Sequence, residues 1–276
     1  MSRSSDFDAA LAGCDAVFIA SLAPIYRAKD GTPAPELDDA RGWDEITRPI
    51  EEGCLNIMQA ADRAGVKTVI ICSSTSSTNP PEPVAVKNEI DHLSDAGHQI
   101  AQKKYTSAEK IVMEAAAVRF AEAHSQRLVI FLPTMMLGPV ILPEHLERGF
   151  HKTLREMVAS RCGQHDTVPA GSMSMAHRDD VAALFLAAYE TPSGSGRYFA
   201  VYDSWPWRDI YAELAKHLPA SALSAPVEGN IEPPTQFDFT RRDSLGVTLR
   251  DIPTTLQETA AWLETAPFGA PTAGGG

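Results

Sequence analysis

The sequence predicts an α/β fold with a parallel sheet flanked by helices, and three features carry this prediction. Several short apolar runs show no polar alternation, which is typical of strands covered on both faces by helices. These runs stop abruptly in serine, threonine or proline, and segments with helical periodicity separate them. Strands that alternate with helices along a chain favour a parallel sheet with right-handed crossovers.

The expected strands are justified by composition. Val69–Cys72 is the clearest, because its β-branched or small apolar residues are followed at once by hydroxyl residues. Ala16–Ala20 is an earlier buried strand, and Leu128–Leu132 is a later one that Pro133 stops. Gly196–Val201 is expected to be a further strand.

Helical spacing marks the segments around these strands. Trp43–Ala64 presents one broad apolar face and ends at Gly65, which tolerates a left-handed cap. Asn79–Lys104 is long and irregular, and loops of this length are usually functional or disordered. The other expected helices are Asp6–Cys14, Ser107–Ala123, Asp180–Tyr189, Asp209–His217 and Thr255–Leu263.

Composition excludes several classes of partner. The 276 residues are 44% hydrophobic, which is enough for a sizeable core. The net charge of −12 argues against nucleic acid and anionic membranes as main partners, since phosphate binding needs clustered basic residues. The chain has no apolar run of membrane-spanning length, and its start lacks the apolar core of a signal peptide, so we expect a cytoplasmic protein. The histidines and cysteines lack metal-ligand spacing, so we expect no metal.

A cluster of hydroxyl residues follows the strand Val69–Cys72. Ligands of parallel α/β sheets bind beyond the carboxyl ends of the strands, so residues 73–76 emerge where a site would form. The alternative is a polar turn whose hydroxyls bond to nearby backbone.

Six stretches together resemble the extended short-chain dehydrogenase/reductase family. The similarity is to the dihydroflavonol reductase and cinnamoyl-CoA reductase group of the NAD-dependent epimerase/dehydratase superfamily. It extends from Phe7 to about Leu263 and rests on the order and spacing of FDAALAGCDAVFIASLAP, EEGCLNIMQAADRAGVKTVIICSS, EKIVMEAAAVRFAEAH, LVIFLPTMMLGP, HRDDVAALFLAAYETPSGSGRYFAV and LGVTLRDIPTTLQETAAWL. The resemblance implies a Rossmann-like sheet and the reduction or epimerisation of a small carbonyl or alcohol.

The resemblance also implies a catalytic set. Ser74 matches the serine that orients the carbonyl, and Lys110 matches the lysine that lowers the pKa of a catalytic tyrosine. The family places this tyrosine four residues before the lysine, where this chain has Thr106, while Tyr105 lies five residues before it. Because five helical residues turn the side chain about 140° away, Tyr105 reaches the lysine only if the helix begins after it or bulges. The alternative is a structural tyrosine at the helix entry.

The cofactor implied by the resemblance is NAD(P). The residues expected to contact it are Ser21, Pro24, Ser73, Pro133 and Thr134. The family's glycine-rich phosphate turn has no counterpart, since no G-x-x-G-x-x-G occurs in the sequence. The match begins inside the family's N-terminal half, so about 60 residues, two βα units, are expected to be absent. Either the numbering begins downstream of the real start of the protein, or the core is truncated. A homodimer or another partner would then cover the edge of the Ala16–Ala20 strand.

The expected domains are a truncated Rossmann-like core, residues 1–133 with 176–203, and a C-terminal substrate-lid region, residues 134–175 and 204–266. Residues 267–276 should be a disordered tail. The substrate pocket is expected to be lined by Met135, Met136, Met173 and His177.

Three functions follow from these observations. The first is an NAD(P)-dependent reductase or epimerase that uses Ser74, Tyr105 and Lys110. The second is a cofactor-independent acid/base enzyme, such as a lyase, dehydratase or isomerase, on the same scaffold. The third is a non-catalytic sensor or interaction protein, because fold alone does not decide function.

Overall fold

The computed structural model describes residues 3–20, 22–147, 149–159, 167–219, 222–223 and 231–269. Its strands are β1 (Ala16–Ile19), β2 (Thr68–Cys72), β3 (Val86–Lys87), β4 (Arg127–Pro133), β5 (Met135–Leu137), β6 (Ser172–His177), β7 (Gly196–Ala200), β8 (Asp203–Pro206) and β9 (Gln236–Phe237). Its helices are α1 (Asp8–Leu11), α2 (Asp39–Gly42), α3 (Arg48–Arg63), α4 (Ala96–Ala101), α5 (Tyr105–Ala123), α6 (Gly149–Val158), α7 (Arg178–Glu190), α8 (Trp207–Leu214), α9 (Thr240–Asp243) and α10 (Ile252–Glu264). Within these ranges, no helix combines the length and hydropathy needed to cross a bilayer.

The described residues form two compact units. The first comes from residues 1–133, 184–200 and 238–246, and the second from residues 134–183, 201–237 and 247–276. The expected division into a catalytic core and a substrate lid is a functional assignment and stays a prediction. The expected disordered tail falls, from residue 270 onwards, outside the described residues.

The first unit is built on a parallel four-stranded sheet with the order β1-β2-β4-β7. Val69 of β2 is in register with Val17 of β1 and Leu128 of β4. Ile130 of β4 pairs with Arg197 of β7. The predicted parallel α/β sheet is confirmed, and the carboxyl ends of its strands form one edge.

Helices cover both faces of this sheet, as the continuous apolar runs predict. Neighbouring residues of β4 point to opposite faces. Ile130 faces α5, with which it lines a groove. Phe131 stacks on Phe185 of α7, their ring centroids 4.5 Å apart. Both β4 side chains are fully buried.

The region before α5 differs from the sequence prediction in two respects. The segment Asn79–Lys104 is not irregular throughout, because Asp95 accepts a hydrogen bond from the His98 backbone N–H at 2.6 Å and caps the short helix α4. In addition, α5 begins at Tyr105 rather than Ser107. Lys103 adopts a left-handed backbone, φ 60°, and so turns the chain into this earlier start.

The second unit has a three-stranded sheet with the order β5-β6-β8. β5 and β6 are parallel, and β6 and β8 are antiparallel. Its core is a cluster of buried apolar residues that includes Leu154 of α6, Ile210 of α8 and Leu256 of α10.

Candidate active site

Ser74 lies just beyond the carboxyl end of β2, where the sequence places it. Ser73 N–H still donates to Phe131 O of β4 at 2.8 Å, so the sheet fixes the chain up to that residue. Ser74 Oγ accepts from Ser76 N–H at 3.1 Å and caps a short 3-10 turn, Thr75–Thr78. A serine hydroxyl that accepts one hydrogen bond still has its own hydrogen to donate. Ser74 can therefore donate to a carbonyl oxygen in the crevice.

Ser73 is turned into the interior rather than toward a ligand. Its hydroxyl donates to Glu114 Oε1 of α5, and both side chains are buried. Glu114 Oε2 also lies 2.9 Å from Arg197 Nε of β7. These contacts favour a structural role for Ser73, and its assignment as a cofactor contact stays a prediction.

Lys110 lies on α5 with only 5% of its side chain exposed. Its Nζ donates to the backbone carbonyl of Leu22, in the loop that leaves β1, at 2.7 Å. An ammonium has three N–H donors, so this bond leaves others for a ligand. Lys110 thus holds a positive charge beside the loop at the carboxyl end of β1.

Glu109 is a site residue that the sequence reasoning missed. Its side chain is fully buried, and its Oε1 lies 3.9 Å from Lys110 Nζ with no hydrogen-bond partner among the described residues. Its Oε2 accepts a long hydrogen bond, 3.5 Å, from Ile25 N–H. Burial raises the pKa of Glu109 to about 8, and the positive charge of Lys110 offsets only part of this effect. The carboxyl is therefore mostly protonated at neutral pH.

A helical count gives the only sequence signal for Glu109. It lies three residues after Thr106, the position at which the family resemblance puts the tyrosine, and residues three apart share a helix face. A glutamate next to a lysine on a helix is ordinarily a solvated pair. Burial of both residues, which reverses that reading, could not be predicted from the sequence.

Tyr105 forms a contact cluster at the start of α5. Its hydroxyl lies 3.0 Å from Asp39 Oδ1 and 3.2 Å from Leu37 O, and it accepts from Lys103 Nζ at 3.1 Å. The ring packs against Gly42, where a Cβ would lie 2.2 Å from ring atom Cε1. Burial raises the pKa of Tyr105, so the phenol is not activated as an acid. These contacts favour the structural alternative, and catalysis by Tyr105 stays a prediction.

The other expected cofactor contacts are less informative. Pro24 is exposed in the loop after β1, and Pro133 is the buried last residue of β4. Thr134, in the second unit, has its hydroxyl bonded to Ser174 O. Ser21 lies outside the described residues.

A dinucleotide diphosphate requires a close approach to backbone N–H groups, usually at glycines. Two glycines lie near the site. The Tyr105 ring fills the position above Gly42, and Leu22 Cδ2 lies 3.1 Å from the position of a Cβ at Gly53. Neither of these two glycines therefore offers open space to a diphosphate.

In the second unit, the expected pocket residues lie on the β5-β6 sheet. Met135 and Met173 are partly buried against the apolar core, and Met136 is 37% exposed. These positions leave the methionines available to line a pocket, and that assignment stays a prediction.

His177 is the most enclosed of the expected pocket residues, with 1% exposure. Its Nδ1 accepts from Asp179 N–H at 3.2 Å, and its Nε2 lies 3.3 Å from Glu258 Oε2. Burial and the nearby Arg250 lower its pKa, which keeps the imidazole neutral. The contacts describe a structural junction, and a substrate contact by His177 stays a prediction.

Comparison with known proteins finds one family model and several structures that are similar to this chain. Residues 1–118 match a family model described as NAD(P)H-binding. Two structures share the fold: vestitone reductase from alfalfa (TM-score 0.72, 19% identity, 96% of this chain and 80% of that one) and yeast methylglyoxal/isovaleraldehyde reductase complexed with NADPH (TM-score 0.75, 16% identity, 96% and 82%). The chain thus shares the fold of these two reductases.

The curated relatives of this chain include several reductases. They include a putative anthocyanidin reductase of Ginkgo biloba, 28% identical over 70% of this chain and 56% of that protein. Cinnamoyl-CoA reductase 1 of Arabidopsis thaliana is 27% identical over 95% of this chain and 72% of that protein. This chain therefore spans only about half of the Ginkgo relative. The curated relatives are reductases of the dihydroflavonol, anthocyanidin and cinnamoyl-CoA reductase group, which confirms the resemblance seen in the sequence.

Proposed function

We propose that this chain acts as an NAD(P)-dependent reductase of small carbonyl compounds, with Ser74 and Lys110 as the groups that act on the carbonyl oxygen. The observation that carries the proposal is the buried Lys110 ammonium, held by the Leu22 carbonyl at the carboxyl end of the sheet. The match of residues 1–118 to an NAD(P)H-binding model and the reductase names of the relatives support it.

The two residues have complementary tasks in this proposal. The Ser74 hydroxyl donates a hydrogen bond to the carbonyl oxygen and orients it. Lys110 places a positive charge near the oxygen as negative charge develops there, which stabilises the transition state more than the ground state. Tyr105 holds the beginning of α5 through Asp39 and Lys103.

The side chains that fill the space at Gly42 and Gly53 give this proposal a specific binding test. If the chain contacts mainly the nicotinamide half, reduced nicotinamide mononucleotide should bind within about threefold of NADPH, both saturably. The Lys110→Met variant should weaken both by about tenfold. Lys67→Met is the matched control, because Lys67 is 63% exposed and precedes the amino end of β2. Absence of binding of either nucleotide at millimolar concentration would overturn the proposal.

A cofactor-independent acid/base enzyme is the second candidate, and Glu109 favours it. A buried carboxyl with a pKa of about 8 beside an ammonium suits proton transfer next to a carbonyl. This function predicts deuterium exchange at the α-carbon of small ketones in heavy water without nucleotide, lost in Glu109→Gln. Exchange at the uncatalysed rate would exclude it.

We also propose that a second copy of the chain covers β1. This strand is the edge of the described four-stranded sheet, so its outer backbone groups can accept another strand. Phe18 of β1 is 45% exposed, and Leu186 and Tyr189 of α7 are 52% and 36% exposed. Phe18 packs on Tyr189, with ring centroids 6.1 Å apart, and Leu186 lies three residues before Tyr189 on the same side of α7, so we treat the three residues as one apolar patch.

A further inference from the structure

The first unit contains a concave surface that Lys110 does not line, which we call the α5 groove. It has a volume of about 330 Å³ and lies between α5, the loop after Ser77 and the sheet. Its apolar wall consists of Leu93, Ile111, Ala115, Val118 and Ile130. Ile111, Ala115 and Val118 recur at helical spacing and so present a single face of α5.

The apolar rim of the groove is open to solvent. Leu93 is 55% exposed and Val118 is 39% exposed, while Ile130 at the base is fully buried. A concave apolar surface with an open mouth and a buried floor is the usual form of a small-molecule site.

The polar atoms of the wall are already occupied within the protein. Ser77 Oγ donates to Ser74 O at 2.8 Å, and Ser94 Oγ donates to Ser76 O at 2.7 Å. Arg197 donates to Glu89 O and to Ser77 Oγ, each at 2.6 Å. A ligand in the groove would therefore find few free donors or acceptors and would be held mainly by apolar contact.

The charges of the wall are balanced as well. Arg197 Nε lies 2.9 Å from Glu114 Oε2, and the Glu114 carboxyl also accepts from Ser73. A charged ligand would lose hydration without gaining an unpaired counter-charge, which is costly. Arg197 also lines the groove, and a planar guanidinium can stack on the face of an aromatic ring.

The volume sets the size of the ligand. An apolar protein cavity of about 150 Å³ holds one benzene ring, so the α5 groove has room for about two rings. We propose that the α5 groove is a binding site for an uncharged, two-ring aromatic molecule, separate from the carbonyl site at Ser74 and Lys110.

The test uses the full chain and 6-propionyl-2-(dimethylamino)naphthalene, an uncharged fluorescent two-ring probe. The proposal expects saturable binding with a blue shift of emission. Ala115→Trp, which fills the groove from an exposed position, should weaken binding at least about tenfold. Ala123→Trp is the matched control, since it adds the same side chain at an exposed position of α5 outside the groove.

A charged probe distinguishes binding of the proposed ligand class from nonspecific binding of dyes. 1-Anilinonaphthalene-8-sulfonate, which is anionic, should bind at least about tenfold more weakly than the uncharged probe. Val118→Trp repeats the test if circular dichroism shows that Ala115→Trp does not fold. Equal affinity in the filled-groove and control variants, no saturable binding, or tighter binding of the anionic probe would each overturn the proposal. Nucleotide binding is measured separately, so its loss leaves this result unaffected.

Discussion

Glu109 carries a carboxyl with no exposed surface beside a lysine that is almost as deeply buried. Among the described residues its one backbone partner is Ile25 N–H, and Lys110 Nζ lies 3.9 Å away. Ionisation would place a negative charge where solvation is weak, and the neighbouring ammonium does not fully compensate for it. The protonated acid is consequently the ordinary form of this residue in the folded protein.

Stability should therefore fall with rising pH in a way that Glu109 controls. The folded state keeps the Glu109 proton to about pH 8, whereas the unfolded chain releases it near pH 4.5, so the folded state binds more protons between these values. Glu109→Gln should match the wild type near pH 4.5 and exceed its free energy of unfolding by a few kcal/mol above pH 8. Urea denaturation across this pH range measures the difference.

The contributions of two other carboxyls to the free energy of unfolding also fall with rising pH, and both carboxyls are present in the wild type and in the variant. Burial raises the pKa of Glu114 and of Glu89, so the wild type and the variant share their contributions. Identical pH profiles for the two proteins would show that Glu109 ionises normally and would contradict the assignment.

The Tyr105→Phe variant tests whether Tyr105 stabilises the start of α5 rather than taking part in catalysis. Tyr105→Phe removes the contacts of the hydroxyl with Asp39 and Lys103 and should lower the free energy of unfolding by about 1 kcal/mol. Affinity for reduced nicotinamide mononucleotide should stay within about twofold, because the hydroxyl faces residues 37–39. Chemical denaturation and nucleotide titration give the two values. A loss of turnover with unchanged stability would instead restore Tyr105 as the proton donor.

At the level of elements, the sequence predicts the sheet well because its signal is local. The apolar runs of β2 and β4 are long enough to identify buried strands, and their hydroxyl or proline ends locate the crevice. The start of α5 was harder to predict. It depends on the left-handed turn at Lys103 and on a tyrosine packed against a distant glycine, Gly42, and neither interaction has a local sequence pattern.

The contact between α2 and α5 can be tested at that glycine. Gly42→Ala places a Cβ 2.2 Å from the Tyr105 ring, so ring or helix must shift, and we expect a loss of about 2–3 kcal/mol of stability. Gly53→Ala is the control, because its Cβ meets only the flexible end of Leu22 at 3.1 Å and should change stability by less than about 1 kcal/mol. Thermal unfolding of both variants distinguishes these outcomes, and equal effects would contradict the packing.

At the level of the whole molecule, the resemblance to this group of reductases was predictable because several different motifs follow one another along the chain in the order and spacing of the group. The site was only partly predictable. Ser74 and Lys110 were assigned through the resemblance to the family, whereas Glu109 and the α5 groove depend on burial. Burial is set by elements far apart in sequence, such as the loop after β1 and the strand β7.

Association through β1 is a prediction about the assembled molecule. Phe18→Lys puts a charge in the apolar patch beside the edge strand and should convert a micromolar dimer into a monomer. Ile141→Lys is the control, since Ile141 is 74% exposed and belongs to the second unit. Light scattering after size-exclusion chromatography gives the mass. A monomeric wild type would contradict the proposed dimer.

The most direct test of the proposed function follows deuterium from 4-deuterated NADPH into a panel of small aldehydes and ketones. The account predicts label at the carbinol carbon of at least one product with the wild type and with Lys67→Met. It predicts a decrease of roughly 100-fold in Ser74→Ala and in Lys110→Met, since each removes a group that acts on the carbonyl oxygen. Transfer that is absent from the wild type, or equal in Ser74→Ala, would contradict it.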